Sequence, residues 1–103
     1  MPAQCVTVRL PTALRSLARD QRAVDLELGT APGGVTVGEV FRALQSIYPG
    51  VHDAALDERG AVRSHVNVFV GTDNIRLGAG LATTVPAGAD VWILPAVSGG
   101  SGG

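Results

Sequence analysis

The sequence predicts an α+β fold in which a mixed sheet of four to five strands wraps across one main helix. Three observations predict it. Several short stretches carry apolar residues with period two, the pattern of strands with one buried face. One stretch, residues 36–48, carries them at helical spacing behind a capping signal. The chain has 103 residues, a length that buries roughly 60–68% of the unfolded surface and supports one core. One striped helix and one buried face per strand close most economically as two packed layers. There is no internal repeat, so residues 1–97 are expected as one domain and residues 98–103 as a Gly-rich tail.

Residues 5–10, Cys5-Val6-Thr7-Val8-Arg9-Leu10, put Val6, Val8 and Leu10 on one face and Cys5, Thr7 and Arg9 on the other. Cys5, the single cysteine, is expected as a small buried hydrophobe on this strand. Pro11 ends the strand, and residues 12–22 form an arm whose Leu14, Leu17 and Ala18 have the spacing of one helical turn. Residues 23–28 alternate again with Val24, Leu26 and Leu28 inward, so the first two strands make an antiparallel hairpin with an extended connection. A turn-rich break follows over residues 29–34.

Thr36-Val37-Gly38-Glu39 matches a capping box, in which the Thr36 hydroxyl accepts from the Glu39 amide and the Glu39 carboxylate reaches back to the Thr36 amide. Val37, Val40, Phe41, Leu44, Ile47 and Tyr48 form the apolar stripe of the helix that starts there, while Glu39, Arg42, Gln45 and Ser46 face water. Val35 and Val40 suit a hydrophobic staple, and Pro49-Gly50 stops the helix. Residues 51–61 read as a loop holding at most one helical turn, with a tight turn at Asp57-Glu58-Arg59-Gly60.

Residues 62–70 are the longest strand candidate, with Val66, Val68 and Val70 on one face and His65, Asn67 and Phe69 on the other. Gly71-Thr72-Asp73-Asn74 reverses the chain, Ile75-Arg76-Leu77 pairs briefly, and residues 81–85 cross back. After a turn over residues 86–90 the last strand is Val91-Trp92-Ile93-Leu94. The expected interior comprises Val6, Val8, Leu10, Val24 and Leu26 from the hairpin, Val37, Val40, Phe41 and Leu44 from the helix, and Val66, Val68, Val70, Leu81, Val91 and Ile93 beyond it.

Eight basic and nine acidic groups leave a formal charge of −1, without the excess of Lys and Arg that marks a nucleic-acid binder. The longest apolar stretch, residues 91–97, falls far short of the ~20 residues that span a bilayer. The first residues lack a basic, apolar leader, so a cytoplasmic protein with neither membrane nor nucleic-acid partner is expected. His52 and His65 have no Cys or second His at ligand spacing, so neither a metal site nor a catalytic triad is expected. All the basic residues are Arg, which removes lysine Schiff-base chemistry, a phosphate-binding P-loop and isopeptide attachment to this chain's own side chains. Asp57-Glu58 reads as a solvated turn, and Arg15, Arg19 and Arg22 as a solvated arm.

After Pro95-Ala96-Val97 the chain reads Ser98-Gly99-Gly100-Ser101-Gly102-Gly103, with four of its fourteen glycines in the last five residues. A run with so few Cβ atoms is expected to project from the last strand as an arm, although an appended linker has the same composition. The run from Asp90 to Gly100, preceded by Val66-Asn67-Val68-Phe69-Val70 and Gly80-Leu81-Ala82-Thr83, resembles the small sulfur-carrier proteins of the MoaD/ThiS family, and within it the CysO-like members. The resemblance spans nearly the whole chain, is most specific from Asn67 to Gly100 and is weak over residues 11–35.

That resemblance implies a β-grasp, ubiquitin-like fold and a role as protein co-substrate rather than catalyst. It implies that an E1-like enzyme adenylates the terminal diglycine with ATP used in trans, the chain itself holding no cofactor. A sulfur donor then leaves a C-terminal thiocarboxylate for a sulfur-accepting biosynthetic enzyme. Relatives end at the diglycine, which matches Gly99-Gly100, whereas here Ser101-Gly102-Gly103 follow. Three readings stay open: a native extension with Gly102-Gly103 as the reactive end, a segment that a metalloprotease clips after Gly100, or an appended linker.

In the family an apolar position just before the Pro of the tail meets the activating enzyme, and Leu94 before Pro95 matches it. Alternation points Trp92, Leu94 and Phe69 out of the sheet, a face suited to a partner unless the arm at residues 11–22 covers it. Two other roles fit the same tail: a modifier joined to target amines, and the small subunit of molybdopterin synthase. The recipient of the sulfur, in cysteine synthesis or that of another metabolite, is not written in these residues.

Overall fold

In the computed structural model, which describes residues 3–29 and 34–95, the backbone is the anticipated mixed sheet laid across a helix. β1 (Ala3–Arg9) pairs antiparallel with β2 (Ala23–Gly29), in register from Ala3 opposite Gly29 to Arg9 opposite Ala23. The connection between them is a short helix α1 (Thr12–Arg15) running into a 3-10 turn (Ser16–Ala18), then Arg19 and Asp20, both in the left-handed region with φ of 56° and 61°. β3 (Val35–Thr36) leads directly into α2 (Val37–Ile47), and α3 (Pro49–Ala55) follows after a single residue. β4 (Val66–Val70), β5 (Asp73–Asn74), β6 (Thr84–Val85) and β7 (Asp90–Pro95) complete the chain as described.

The main sheet has the order β2-β1-β7-β4-β5, with β1 and β7 parallel and the other pairs antiparallel. Parallel pairing of the first and last strands at the centre requires a long crossover, and α2 and α3 supply it. The core is what period two and the helical stripe predict: of the expected interior only Leu81 is not fully covered, packing against the cluster while staying partly open. Val24 and Leu26 of β2 are buried as expected, whereas Leu28 is only half-covered.

Several segments differ from the sequence expectation, each for a local reason. Pro49-Gly50 does not end the helical region but begins α3, because proline at the first helical position has no amide to lose there. Val51 and Ala55 of α3, with Leu56 after it, join the core. The stripe of α2 ends at Leu44: Ile47 is 53% exposed, since the chain turns into α3 before that position is covered. β4 begins at Val66 rather than residue 62, because the Val66 amide donates to the Arg63 carbonyl (3.0 Å) and bends the preceding segment into a turn. Val62 makes only an isolated bridge to Leu56.

Ile75-Arg76-Leu77 forms a 3-10 turn, and the brief pairing falls to Asp73–Asn74, joined to β4 by a two-residue turn with Gly71 at φ +61°. Residues 81–85 do not cross the main sheet. Gly80–Ala82 is a 3-10 turn, and β6 pairs with β3 as a separate two-stranded sheet, burying Val85 and Val35. Cys5 is exposed, contrary to the expectation of a buried thiol, because it belongs to the outward set of β1 with Thr7 and Arg9.

The cap of α2 is half as expected. The Glu39 amide donates to the Thr36 hydroxyl (3.3 Å), but the Glu39 carboxylate accepts from that hydroxyl (3.3 Å). Thr36 is instead held by pairing with Thr84 in the β3–β6 ladder.

Candidate functional site

The candidate site is the open face of the sheet around the point where β7 ends. Because β7 alternates, Val91 and Ile93 enter the core while Trp92 and Leu94 stand on the opposite face, 38% and 36% exposed, with Pro95 exposed after them. Across the antiparallel pair, Phe69 of β4 lies directly opposite Trp92 and Asn67 opposite Leu94. Phe69 is half-buried rather than open: Asn74 of β5 pairs beside it, and it shares a cleft with Ile75 and Leu77. The structure therefore brings Phe69, Trp92 and Leu94 onto one face of adjacent strands, with Pro95 exposed beside them at the end of β7 and paired with Val66.

The arm does not cover this patch. Ala18 is buried, a Cβ on Gly50 of α3 would lie 3.3 Å from Leu17 Cδ2, and the Gln21 amide donates to the Tyr48 hydroxyl (2.6 Å). These contacts hold residues 12–21 on the helical layer. The neighbour of Trp92 is instead Arg9, adjacent in the parallel β1–β7 register, whose guanidinium carbon lies 5.2 Å from the indole centroid. Asp90 anchors that guanidinium through Nε at 2.7 Å. A cation over an exposed indole contributes about 0.5–1 kcal/mol, enough to bias the orientation of Trp92 while leaving much of its surface free.

The open face has two parts. Over β1 and β2 it is polar, with the Thr7 hydroxyl donating to Asp25 (2.7 Å) and Glu27 opposite Cys5. Over β7 and β4 it is apolar. Aromatic and aliphatic side chains left in such a patch are the groups that anchor protein partners. Leu77, 88% exposed in the turn after β5, extends the apolar surface, and nothing in its sequence surroundings distinguishes it from a strand residue.

The remaining titratable groups do not converge. His52 pairs with Asp53 (3.0 Å), while His65 is exposed in the turn before β4. Among the described residues no group of three or more His, Cys, Asp or Glu is placed to hold a metal. Asp57 closes the turn after α3 by accepting from the Ala61 amide (3.0 Å) and the Arg59 amide (2.9 Å). The bond from Ala61 is the largest influence holding its carboxyl below the usual carboxylate range, with Arg59 and Arg63 adding to it against some desolvation. Arg76 ties the turn before β4 in place, its guanidinium donating to the Arg63 and Val66 carbonyls. Among the described residues no helix is long and apolar enough to cross a membrane. Gly99, Gly100, Gly102 and Gly103 lie outside the described residues.

The geometry so described has counterparts. The ThiS family pattern matches residues 8–100. The sulfur carrier protein CysO of Mycobacterium tuberculosis is 36% identical over 97 residues, covering 92% of this chain and 98% of that protein. Small archaeal modifier protein 3 of Haloferax volcanii is 35% identical over 65 residues, covering 63% of this chain and 70% of that protein. Among solved structures, that of Mycobacterium tuberculosis CysO superposes with a TM-score of 0.75 at 35% identity, covering 89% of this chain and 99% of that one. The Amycolatopsis orientalis BexX/CysO complex gives 0.73 at 33% identity, covering 92% and 99%. The fold is the ubiquitin-like β-grasp.

Proposed function

The chain belongs to the ThiS family, and we propose that it is a sulfur carrier whose Gly99-Gly100 end is activated by an E1-like enzyme and converted to a thiocarboxylate. It is a protein substrate of other enzymes rather than a catalyst. The observation that carries the reading is that likeness to a sulfur carrier extends over 92% of the chain, while the family match runs through Gly100.

The chemistry asks little of the folded domain. A carboxylate oxygen of the terminal glycine attacks the α-phosphorus of ATP, the bond to the β-phosphate oxygen breaks, and pyrophosphate leaves. Hydrosulfide then adds to the acyl carbon, the acyl–phosphate bond breaks, AMP departs and the proton is lost, leaving a thiocarboxylate. ATP is bound by the activating enzyme and not by this chain. Glycines serve here because a backbone without Cβ atoms can thread a narrow channel to a nucleotide at whatever φ and ψ the channel dictates. Sulfur held this way is an anionic, soft nucleophile on a protein handle.

Gly100 is the functional end in this reading, and removal of Ser101-Gly102-Gly103 by a metalloprotease precedes activation. Trp92, Leu94, Pro95 and Phe69 dock the activating enzyme, at the end of β7 that precedes the tail in sequence. A sulfur-accepting enzyme takes the loaded tail in turn. That the Amycolatopsis CysO occurs in a complex with BexX supports partners of this kind.

The test is intact-mass measurement of the chain after incubation with an E1-like partner, ATP and a sulfur source, with and without a processing protease. A mass gain of one oxygen-for-sulfur exchange on a chain ending at Gly100 is expected, and the exchange on a chain still ending at Gly103 would overturn the processing step. A second reading, attachment of the diglycine to amines of other proteins, is favoured by the likeness to the archaeal modifier. Adducts on other proteins with no thiocarboxylate would establish it instead.

A further inference from the structure

Where β7 leaves the sheet, the surface beside it is not closed. β1 runs parallel to β7 but turns away at Pro11 into α1, and β4, antiparallel on the other side, begins only at Val66. These two departures leave an open groove of about 440 Å³, lined by Ala13 and Leu14 from α1, Val66 of β4 and Ile93, Leu94 and Pro95 of β7, with Asp53, Arg63 and His65 as its polar lining. Most of that lining is apolar, and Leu14 packs onto the core cluster. Leu94 and Pro95 border both this groove and the docking patch, while Ala13, Leu14, Val66 and Ile93 belong to the groove alone.

The chain supplies its own candidate occupant. Pro95 lines the groove, and Val97 lies two residues further on, within about 7 Å of it along an extended backbone. An extended continuation of β7 would bring position 97 to the side of Val91 and Ile93, the helix side on which Leu14 packs against the core. Val97 is also the last apolar residue before Ser98-Gly99-Gly100, so the sequence changes from groove-compatible to Cβ-poor just past the groove. We propose that Val97 seats in this groove against Leu14 and Ile93, with Ser98-Gly99-Gly100 following it in sequence. The apolar effect favours it, since seating removes the Val97 side chain and the groove lining from water together. The seat goes beyond the sulfur-carrier reading and does not depend on it. In a carrier it fixes the point from which the diglycine reaches into a partner.

Solution NMR on the full chain with labelled methyl groups tests the seat without any enzyme. Seating predicts Overhauser contacts from the Val97 methyls to those of Leu14 and Ile93, with Val97 methyl shifts displaced from random-coil values. In Val97→Gly the Leu14 methyl resonances move while those of β2 and α2 do not. In Leu14→Ala, a second probe from the opposite wall, the Val97 methyls shift toward random coil. Random-coil Val97 methyls without contacts in a folded wild-type chain would overturn the proposal. So would contacts that appear only between differently labelled chains or vanish on dilution, since these place a second copy in the groove.

Discussion

The two faces of the main sheet are built from the same strands and do opposite things. On the helix side Val6, Val8, Val24, Leu26, Val68, Val91 and Ile93 are buried under α2. On the other side the alternate positions Thr7, Arg9, Asp25, Phe69, Trp92 and Leu94 remain half or fully open. One residue of register separates the two sets, so a single strand such as β7 serves stability and docking at once. The comparison teaches that Ile93 and Leu94, adjacent in sequence and both apolar, should fail in different ways when changed.

Variants can break or sharpen that contrast. On the covered face Phe41→Ala removes the largest fully buried side chain of α2 and should cost about 3–5 kcal/mol, read as a lower denaturant midpoint. Every docking readout should fall only as far as the folded fraction falls. On the open face Leu94→Asp should leave the denaturant midpoint nearly unchanged while abolishing pyrophosphate release with the cognate activating enzyme. Trp92→Ala should weaken the same docking at least tenfold, the magnitude of an interface anchor. If Leu94→Asp unfolds the chain instead, the two faces are not functionally distinct.

A smaller effect is expected where the helix of the covered face begins. Thr36→Ala removes the hydroxyl that accepts from the Glu39 amide and should cost about 1 kcal/mol in thermal or chemical unfolding, with docking unaltered. The smallest lies in the turn after α3. The Asp57 carboxyl is held below its unfolded value, so its ionised form contributes stability that is present above the ordinary carboxylate range and is lost as pH falls through the depressed folded value. Asp57→Asn should therefore flatten the acid limb of the stability profile by lowering the neutral plateau slightly while leaving the stability at the acid end unchanged, measured by urea unfolding across pH.

Much of this was legible in the sequence because it follows from periodicity. Alternation in β1, β2, β4 and β7 and the stripe of α2 located the core, and the same alternation placed Trp92 and Leu94 outward. What was not legible depended on contacts between distant residues. Pro49-Gly50 reads as a stop, yet becomes the start of α3 because Val51 and Ala55 find the core. β6 pairs with β3 through only Thr84–Val85 and Val35–Thr36, too few residues to show a period. Phe69 is shielded by the short β5 hairpin, whose pairing was expected two residues later. The groove beside β7 has no local signature, since it arises where β1 and β4 end.

The most direct measurement compares the intact chain with one truncated after Val97 in a complete sulfur-transfer assay, after confirming by unfolding that both are equally folded. The account predicts that the shortened chain still binds the activating enzyme through Trp92 and Leu94, yet supports no ATP-dependent pyrophosphate release and delivers no sulfur. Delivery by the shortened chain at the rate of the intact one would contradict it.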